Sequence, residues 1–293
     1  MSRFMWDEIA THISQRLDQP FHLENRRSVS GGCINSGYAI SGSQQTYFVK
    51  VNQAAQLAMF EAEAVGLDEI LTSQTIRVPK PICWGTAAGS AYLVLEWLEL
   101  GHSSKSGWEA MGHQLAALHQ TTSRKGFGWQ INNTIGSTVQ INDWTMNWTE
   151  FWTEHRLGYQ FRLAAQRGGV FPDQTRLLNA VRQLLAGHNP QPALVHGDLW
   201  SGNAAVTQTG EPVIFDPATY YGDREVDLAM TELFGGFPAD FYRGYTAAFP
   251  LDSGYSQRKT LYNLYHILNH FNLFGGSYAA RANRMIEQIL SFS

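Results

Sequence analysis

Apolar residues recur at helical spacing at the start of the chain (Phe4, Ile9, Ile13, Leu17), which predicts an amphipathic helix over 1–17. The period then shortens. An extended segment is expected over 21–28, a short strand over 38–41 and a stronger one over 46–51, where Thr, Tyr, Phe and Val favour a pleated surface. Leu57, Phe60, Ala64, Leu67 and Leu71 share one stripe of a helix over 54–71, and Pro79 and Pro81 close that region. The nearly unbroken apolar run over 91–98 reads as a strand buried on both faces. Beyond Gly101 the pattern turns helical, over 106–119, 148–167 and 174–185. Short strands at 193–195, 204–206 and 212–215 flank polar loops, and a helical tail over 223–290 is broken at Gly235-Gly236, Pro250 and Gly275-Gly276. These elements predict an α+β, two-lobed fold. A strand-rich lobe with one key helix spans 1–100, a helix-rich lobe spans 101–293, and a ligand cleft lies between them near 96–101.

Composition narrows the class. With 44% hydrophobic residues in a chain of 293, a packed interior is expected and wholesale disorder is excluded. Charged residues reach only 16%, against a usual value of roughly 25%, while aromatics make up 13%, which favours ring-lined clefts over a salt-laced surface. The net charge of −4 argues against a nucleic-acid partner bound through phosphates. Two cysteines, Cys33 and Cys83, supply neither a disulfide framework nor a zinc knuckle and fit a reducing compartment. Asp7 and Glu8 interrupt the first segment, so no signal peptide is read there. No window approaches the ~18 consecutive apolar residues of a membrane span. The expectation is a cytoplasmic protein with no membrane partner; oligomeric state is not legible.

The sharpest chemistry lies in Val195-His196-Gly197-Asp198-Leu199-Trp200-Ser201-Gly202-Asn203, followed by Ile214-Phe215-Asp216. Asp198, an Asn five residues on and a second Asp eighteen residues on match the spacing of base and metal ligands in protein kinases. Phosphoryl transfer needs those groups: a carboxylate beside the acceptor hydroxyl, and oxygen ligands for magnesium, which neutralises charge on the nucleotide phosphates. The competing reading is a polar turn loop, but the Asn, the strand and the second Asp all stand in register. A metal hydrolase lacks its HExxH, and a serine hydrolase lacks its GxSxG.

A kinase also needs an upstream lysine. Lys50 ends the 46–51 strand and shares a face with Phe48, so an apolar strand carries a cation that implies an anionic partner. The next helix offers Glu61 and Glu63; Glu63 lies in register with Met59, Leu67 and Ile70 and is the expected partner. Gly31 and Gly32, in a glycine-rich segment over 30–37, fit a hairpin over nucleotide phosphates. Tyr38 stands where a Walker lysine belongs, so this is no P-loop. Glu96 and Leu98, at the lobe junction, could present backbone groups to an adenine edge. Trp200, beside Asp198, offers a ring face to sugar or amine carbons. Cys33 is a redox candidate, since a thiolate in a phosphate loop oxidises readily. His119 reads as a satisfied core histidine, and Asp227 as a brace accepting backbone hydrogen bonds from the catalytic loop.

Trp200 within the HGDLWSGN run, together with Phe215-Asp216-Pro217-Ala218 and the stretch from Gly222-Asp223-Arg224-Glu225 to Met230, resembles the fructosamine kinase (ketosamine 3-kinase) family. That family belongs to the aminoglycoside-phosphotransferase-like branch of the protein-kinase-like fold. The resemblance implies ATP-dependent phosphorylation of a ketosamine at the hydroxyl on its third carbon, in deglycation of amines or proteins, with ATP and Mg2+ as cofactors. It implies that Lys50 contacts nucleotide phosphates, Glu63 pairs with it, Asp198 is the base, and Asn203 and Asp216 bind magnesium. Its partner would be a small sugar-amine or a glycated protein. Two other readings stay open: a kinase for another hydroxyl, such as an aminoglycoside or choline, and a nucleotide-binding pseudokinase.

Overall fold

A computed structural model describes residues 3–29, 34–171 and 173–292. Helix α1 (Arg3–Leu17) leads into strands β1 (Asn25–Val29), β2 (Ser36–Gly42) and β3 (Gln45–Gln53). Helix α2 (Leu57–Ser73) follows, then β4 (Pro81–Ala87) and β5 (Ser90–Glu96). The five strands form one antiparallel sheet in the order β1-β2-β3-β5-β4. Strand β5, lying between β3 and β4, is buried at its five inner residues, as an apolar run demands. Strand alternation divides the sheet. Tyr47, Val49 and Val51 face a core formed with Met5, Trp6, Ile9 and Ile13 of α1, while Phe48 and Lys50 face α2. Ile9 and Ile13 are buried as expected, but Phe4 is exposed and Met5 takes its place on the buried stripe of α1.

Helical segments then dominate. Helix α3 (Lys105–Leu118) precedes a hairpin of β6 (Asn133–Ile135) and β7 (Thr138–Gln140), then α4 (Trp148–Phe151), α5 (Tyr159–Gln166) and α6 (Gln174–Leu185). Short strands β8 (Ala193–Val195), β9 (Ala204–Val206), β10 (Pro212–Ile214) and β11 (Tyr220–Gly222) pair as β8 with β11 and β9 with β10. Helices α7 (Glu225–Leu233), α8 (Ala239–Ala248), α9 (Tyr255–Phe274) and α10 (Tyr278–Leu290) complete the chain. Trp148, Trp152, Leu177, Tyr262, Leu264 and Ile286 lie at the centre of their core. The β-rich beginning and helical remainder match the expected α+β class. Among the described residues no helix is long and apolar enough to cross a membrane.

Four departures from the expected elements have physical causes. Pro81, expected only to close the helical region of α2, also opens the unexpected strand β4, because the first residue of an edge strand needs no ladder N–H. The pairs β6–β7 and β8–β11 are not expected, since β6, β7 and β11 lack the aliphatic triplets that mark β8, β9 and β10. The helix expected over 148–167 is split by a wide π turn over Trp152–Gly158. There the Thr153 hydroxyl donates to the Thr149 carbonyl at 2.8 Å and the Glu150 carbonyl at 3.2 Å, competing with the regular ladder. The π turn sends Arg156 into the core between the rings of Phe151 and Tyr220, 4.4 and 4.2 Å from its guanidinium carbon.

Candidate active site

Lys50 occupies the α2-facing side of β3 and is buried. Its Nζ donates to Glu63 Oε1 at 2.6 Å and to Asp216 Oδ1 at 2.5 Å. Glu61 is exposed, so of the two candidate partners only Glu63 meets the lysine. Burial opposes the ammonium charge, but the Asp216 and Glu63 carboxylates outweigh it and hold Lys50 above its ordinary range. Burial pushes the Glu63 carboxyl up, and Lys50 offsets part of that push. A triad of one cation and two carboxylates thus joins the sheet, α2 and the segment after β10.

The loop after β8 carries Asp198. Gly197, at φ +82°, runs so close to Ala218 that an added Cβ would lie 2.2 Å from its carbonyl oxygen, which only glycine permits. Asp227, fully buried at the start of α7, accepts the backbone N–H groups of His196 at 2.7 Å and Gly197 at 2.8 Å. His119 lies 3.1 Å from the same carboxylate and 2.8 Å from the Tyr245 hydroxyl, a core histidine with both nitrogens occupied. The Asp198 N–H donates to His196 Nδ1 at 3.2 Å, which places the His196 proton on Nε2, 3.0 Å from the Phe215 carbonyl. His196 therefore couples the loop bearing Asp198 to the residue before Asp216.

Asn203 closes a 3-10 turn over Ser201–Asn203, and its Nδ2 donates to the Asp198 carbonyl at 2.9 Å. With the amide nitrogen so engaged, the side-chain oxygen is the atom left to bind a ligand. Asp216 sits at φ +59°, a left-handed conformation that costs a non-glycine residue about 1–3 kcal/mol. An amide oxygen and a carboxylate form the hard oxygen set that suits magnesium, so these residues fit the ion. Burial, then Asp216 and Asp227, push the Asp198 carboxyl up to about 7, with Asn203 pulling the other way. A quarter of its side-chain surface stays open. Such a carboxylate can accept a proton from a neighbouring hydroxyl.

Trp200, Glu96 and Leu98 are the remaining predicted residues among those described. Trp200 is 39% exposed, and its ring lies over Gly202, where an added Cβ would come within 2.3 Å of it. The Glu96 side chain pairs with Arg77 and accepts the Lys80 N–H at 3.2 Å, so its carboxylate holds the approach to β4. Leu98 follows β5 in a loop and is half-buried. Gly31, Gly32 and Cys33 lie outside the described residues. Cys83 is buried in the α1–sheet core, where burial pushes its thiol up to about 12. Sequence reasoning missed His196 as a brace and passed over His266. Burial, then His270, push His266 down to about 3, and its Nδ1 lies 4.0 Å from Asp198 Oδ1.

Comparison with known proteins places this geometry. The fructosamine kinase family profile matches residues 5–292. A protein of Synechocystis sp. named a probable ketoamine kinase is 61% identical over 285 residues, covering 97% of each chain. A crystal structure from Haemophilus somnus 129PT, bearing the name fructosamine-3-kinase, superposes with a TM-score of 0.92 at 31% identity over 98% of both chains. The choline kinase LicA of Streptococcus pneumoniae, at 16% identity and a TM-score of 0.65 over 99% of both chains, shares the kinase-like fold alone. With the match spanning nearly every residue, the chain belongs to the fructosamine kinase family.

Proposed function

We propose that this chain is an ATP-dependent kinase that phosphorylates a ketosamine at the hydroxyl on its third carbon. The observation that carries the reading is the convergence of Lys50, Glu63 and Asp216 within hydrogen-bond distance, in a chain that also holds Asp198 and Asn203 in kinase order. Lys50 binds nucleotide phosphates, and Glu63 holds its ammonium in place. Asp198 accepts the proton of the acceptor hydroxyl. Asn203 and Asp216 hold magnesium, which when bound offsets the negative charge of the phosphates. Backbone groups at Glu96 and Leu98 line the adenine end, and Trp200 forms a wall of the acceptor site. The nucleotide-binding lobe ends near residue 100, and the rest of the chain carries the base and the acceptor site. In a reducing cytoplasm such an enzyme would begin the removal of sugar adducts from amines or proteins.

The test is a coupled ADP-release assay on a fructosyl-amine, kanamycin and choline under the same conditions. The expected result is turnover of the fructosyl-amine well above the other two. Equal rates on all three, or turnover of an aminoglycoside alone, would reject the ketosamine assignment while keeping a kinase.

A further inference from the structure

We propose that His266 binds the acceptor hydroxyl, donating from Nδ1 to the oxygen that Asp198 deprotonates; this rests on the kinase reading above. His266 lies on α9, 68 residues beyond Asp198 in sequence, and is 3% exposed. Its Nδ1 is buried and has no hydrogen-bond partner among the described residues. Leaving a buried polar atom unmatched costs about 1–3 kcal/mol, and buried nitrogens in folded proteins nearly always find a partner. The atom is aimed at the reaction centre, 4.0 Å from Asp198 Oδ1. That gap is too long for a hydrogen bond, yet a hydroxyl oxygen can lie about 2.8 Å from both atoms at once.

The ring is held for this task. Its T-shaped neighbour Tyr265, 5.2 Å away, is fixed by donating to Gln140 Oε1 at 2.8 Å. One turn on, Asn269 donates to the Ile135 carbonyl at 3.2 Å, and Asn272 donates to the Gln160 carbonyl at 2.9 Å. These bonds fix α9 against the β6–β7 hairpin and α5, so the imidazole cannot swing away with its helix. Burial first, then His270 and Arg156, keep the ring neutral, with Asp227 opposing them. The Asp198 carboxylate facing Nδ1 selects the tautomer with its proton on that nitrogen.

The chemistry follows from the valences of a hydroxyl. The acceptor oxygen donates its one proton to Asp198 and takes the His266 Nδ1–H on one lone pair. The other lone pair is then left to attack the γ-phosphorus of ATP. The new O–P bond forms as the bond from that phosphorus to its bridging oxygen breaks. The bond's electron pair leaves with ADP and the proton stays on Asp198. His266 neither gains nor loses a proton; it fixes which lone pair points at phosphorus.

Three substitutions test this, each assayed with a fructosyl-amine and with its 3-deoxy counterpart as a binding probe. His266→Phe should lower kcat/KM for the fructosyl-amine by about 10- to 100-fold, with the KM for ATP and the Tm unchanged. Wild type and His266→Phe should bind the 3-deoxy compound equally, because the lost contact is to the missing hydroxyl. His266→Asn puts an amide N–H where Nδ1 stands and should restore most of the loss, whereas His266→Gln should not. Wild-type kcat/KM in His266→Phe, or an equal loss of affinity for both compounds, overturns the proposal. If His266→Phe does not fold, equal activity of the Asn and Gln variants does so instead. Should the wild type turn over a different hydroxyl substrate, the same cycle is run on that substrate and its deoxy form. Failure of the ketosamine reading then leaves this test standing.

Discussion

Asp198 and Asp216, the two aspartates of the candidate site, have different surroundings. Asp198 sits in a loop pinned by Asp227, with no cation in hydrogen-bond contact among the described residues, and its carboxyl is pushed up to about 7 by burial and by its acidic neighbours. Asp216 lies against the Lys50 ammonium at 2.5 Å. The assigned roles therefore separate under substitution. Asp198→Asn removes the proton acceptor and leaves the other groups in place, so turnover should fall by ~10²–10⁴-fold. Nucleotide should still bind in magnesium buffer. Asp216→Ala should weaken that binding as well. Titration calorimetry beside the turnover assay reads both; lost nucleotide binding in Asp198→Asn with intact binding in Asp216→Ala would reverse the assignment.

Between elements, helices α3 and α8 cross at backbone contact. A Cβ added at Gly112 would lie 2.1 Å from the Phe241 carbonyl, and one at Gly244 would lie 2.1 Å from the Glu109 carbonyl. The two backbones therefore touch, and neither helix can carry a side chain there. Gly112→Ala should destabilise the protein by about 1–3 kcal/mol, read from denaturant unfolding, since the helices must part to admit the methyl group. An unchanged midpoint would mean that α8 shifts freely. Elements of this length were legible in the sequence because 14 and 10 residues hold several helical periods. The hairpin of β6 and β7 holds three residues per strand, too few for any period, yet its Asn133 and Gln140 hold the Thr219 and Ala218 carbonyls just after Asp216. The site divides in the same way. Lys50, Asp198, Asn203 and Asp216 stand out because polar groups at fixed intervals interrupt apolar strands. His266 does not, because a histidine within α9 is surrounded by the same apolar residues as any core position.

At the scale of the molecule, a buried polar network ties the segment after α6 to the starts of α7 and α9. His188 lies 2.6 Å from Asp223, Tyr262 donates to the same carboxylate at 2.5 Å, and Arg258 forks onto Glu225 at 2.7 and 2.8 Å while also reaching Asp252. Burial works against a charge on His188, but the hydrogen bond and attraction from Asp223 prevail and raise it above its ordinary 6.5. A histidine raised on folding stabilises fully below its unfolded value and loses that contribution as pH climbs through the folded one. Wild type should therefore exceed His188→Gln in Tm most clearly below pH 6.5, with the gap closing as the medium becomes alkaline. A gap independent of pH would show that packing, not charge, fixes His188. Tryptophan placement has a consequence of another kind. Of the nine tryptophans, Trp200 alone is exposed, while Trp6, Trp129, Trp148 and Trp152 lie in the cores. An aqueous quencher such as iodide reaches its indole far more readily than those four buried rings, and the ring stands two residues from Asp198. If Trp200 forms the wall of the proposed acceptor site, the protein carries its own optical reporter there, one whose shielding from solvent registers occupancy without any label.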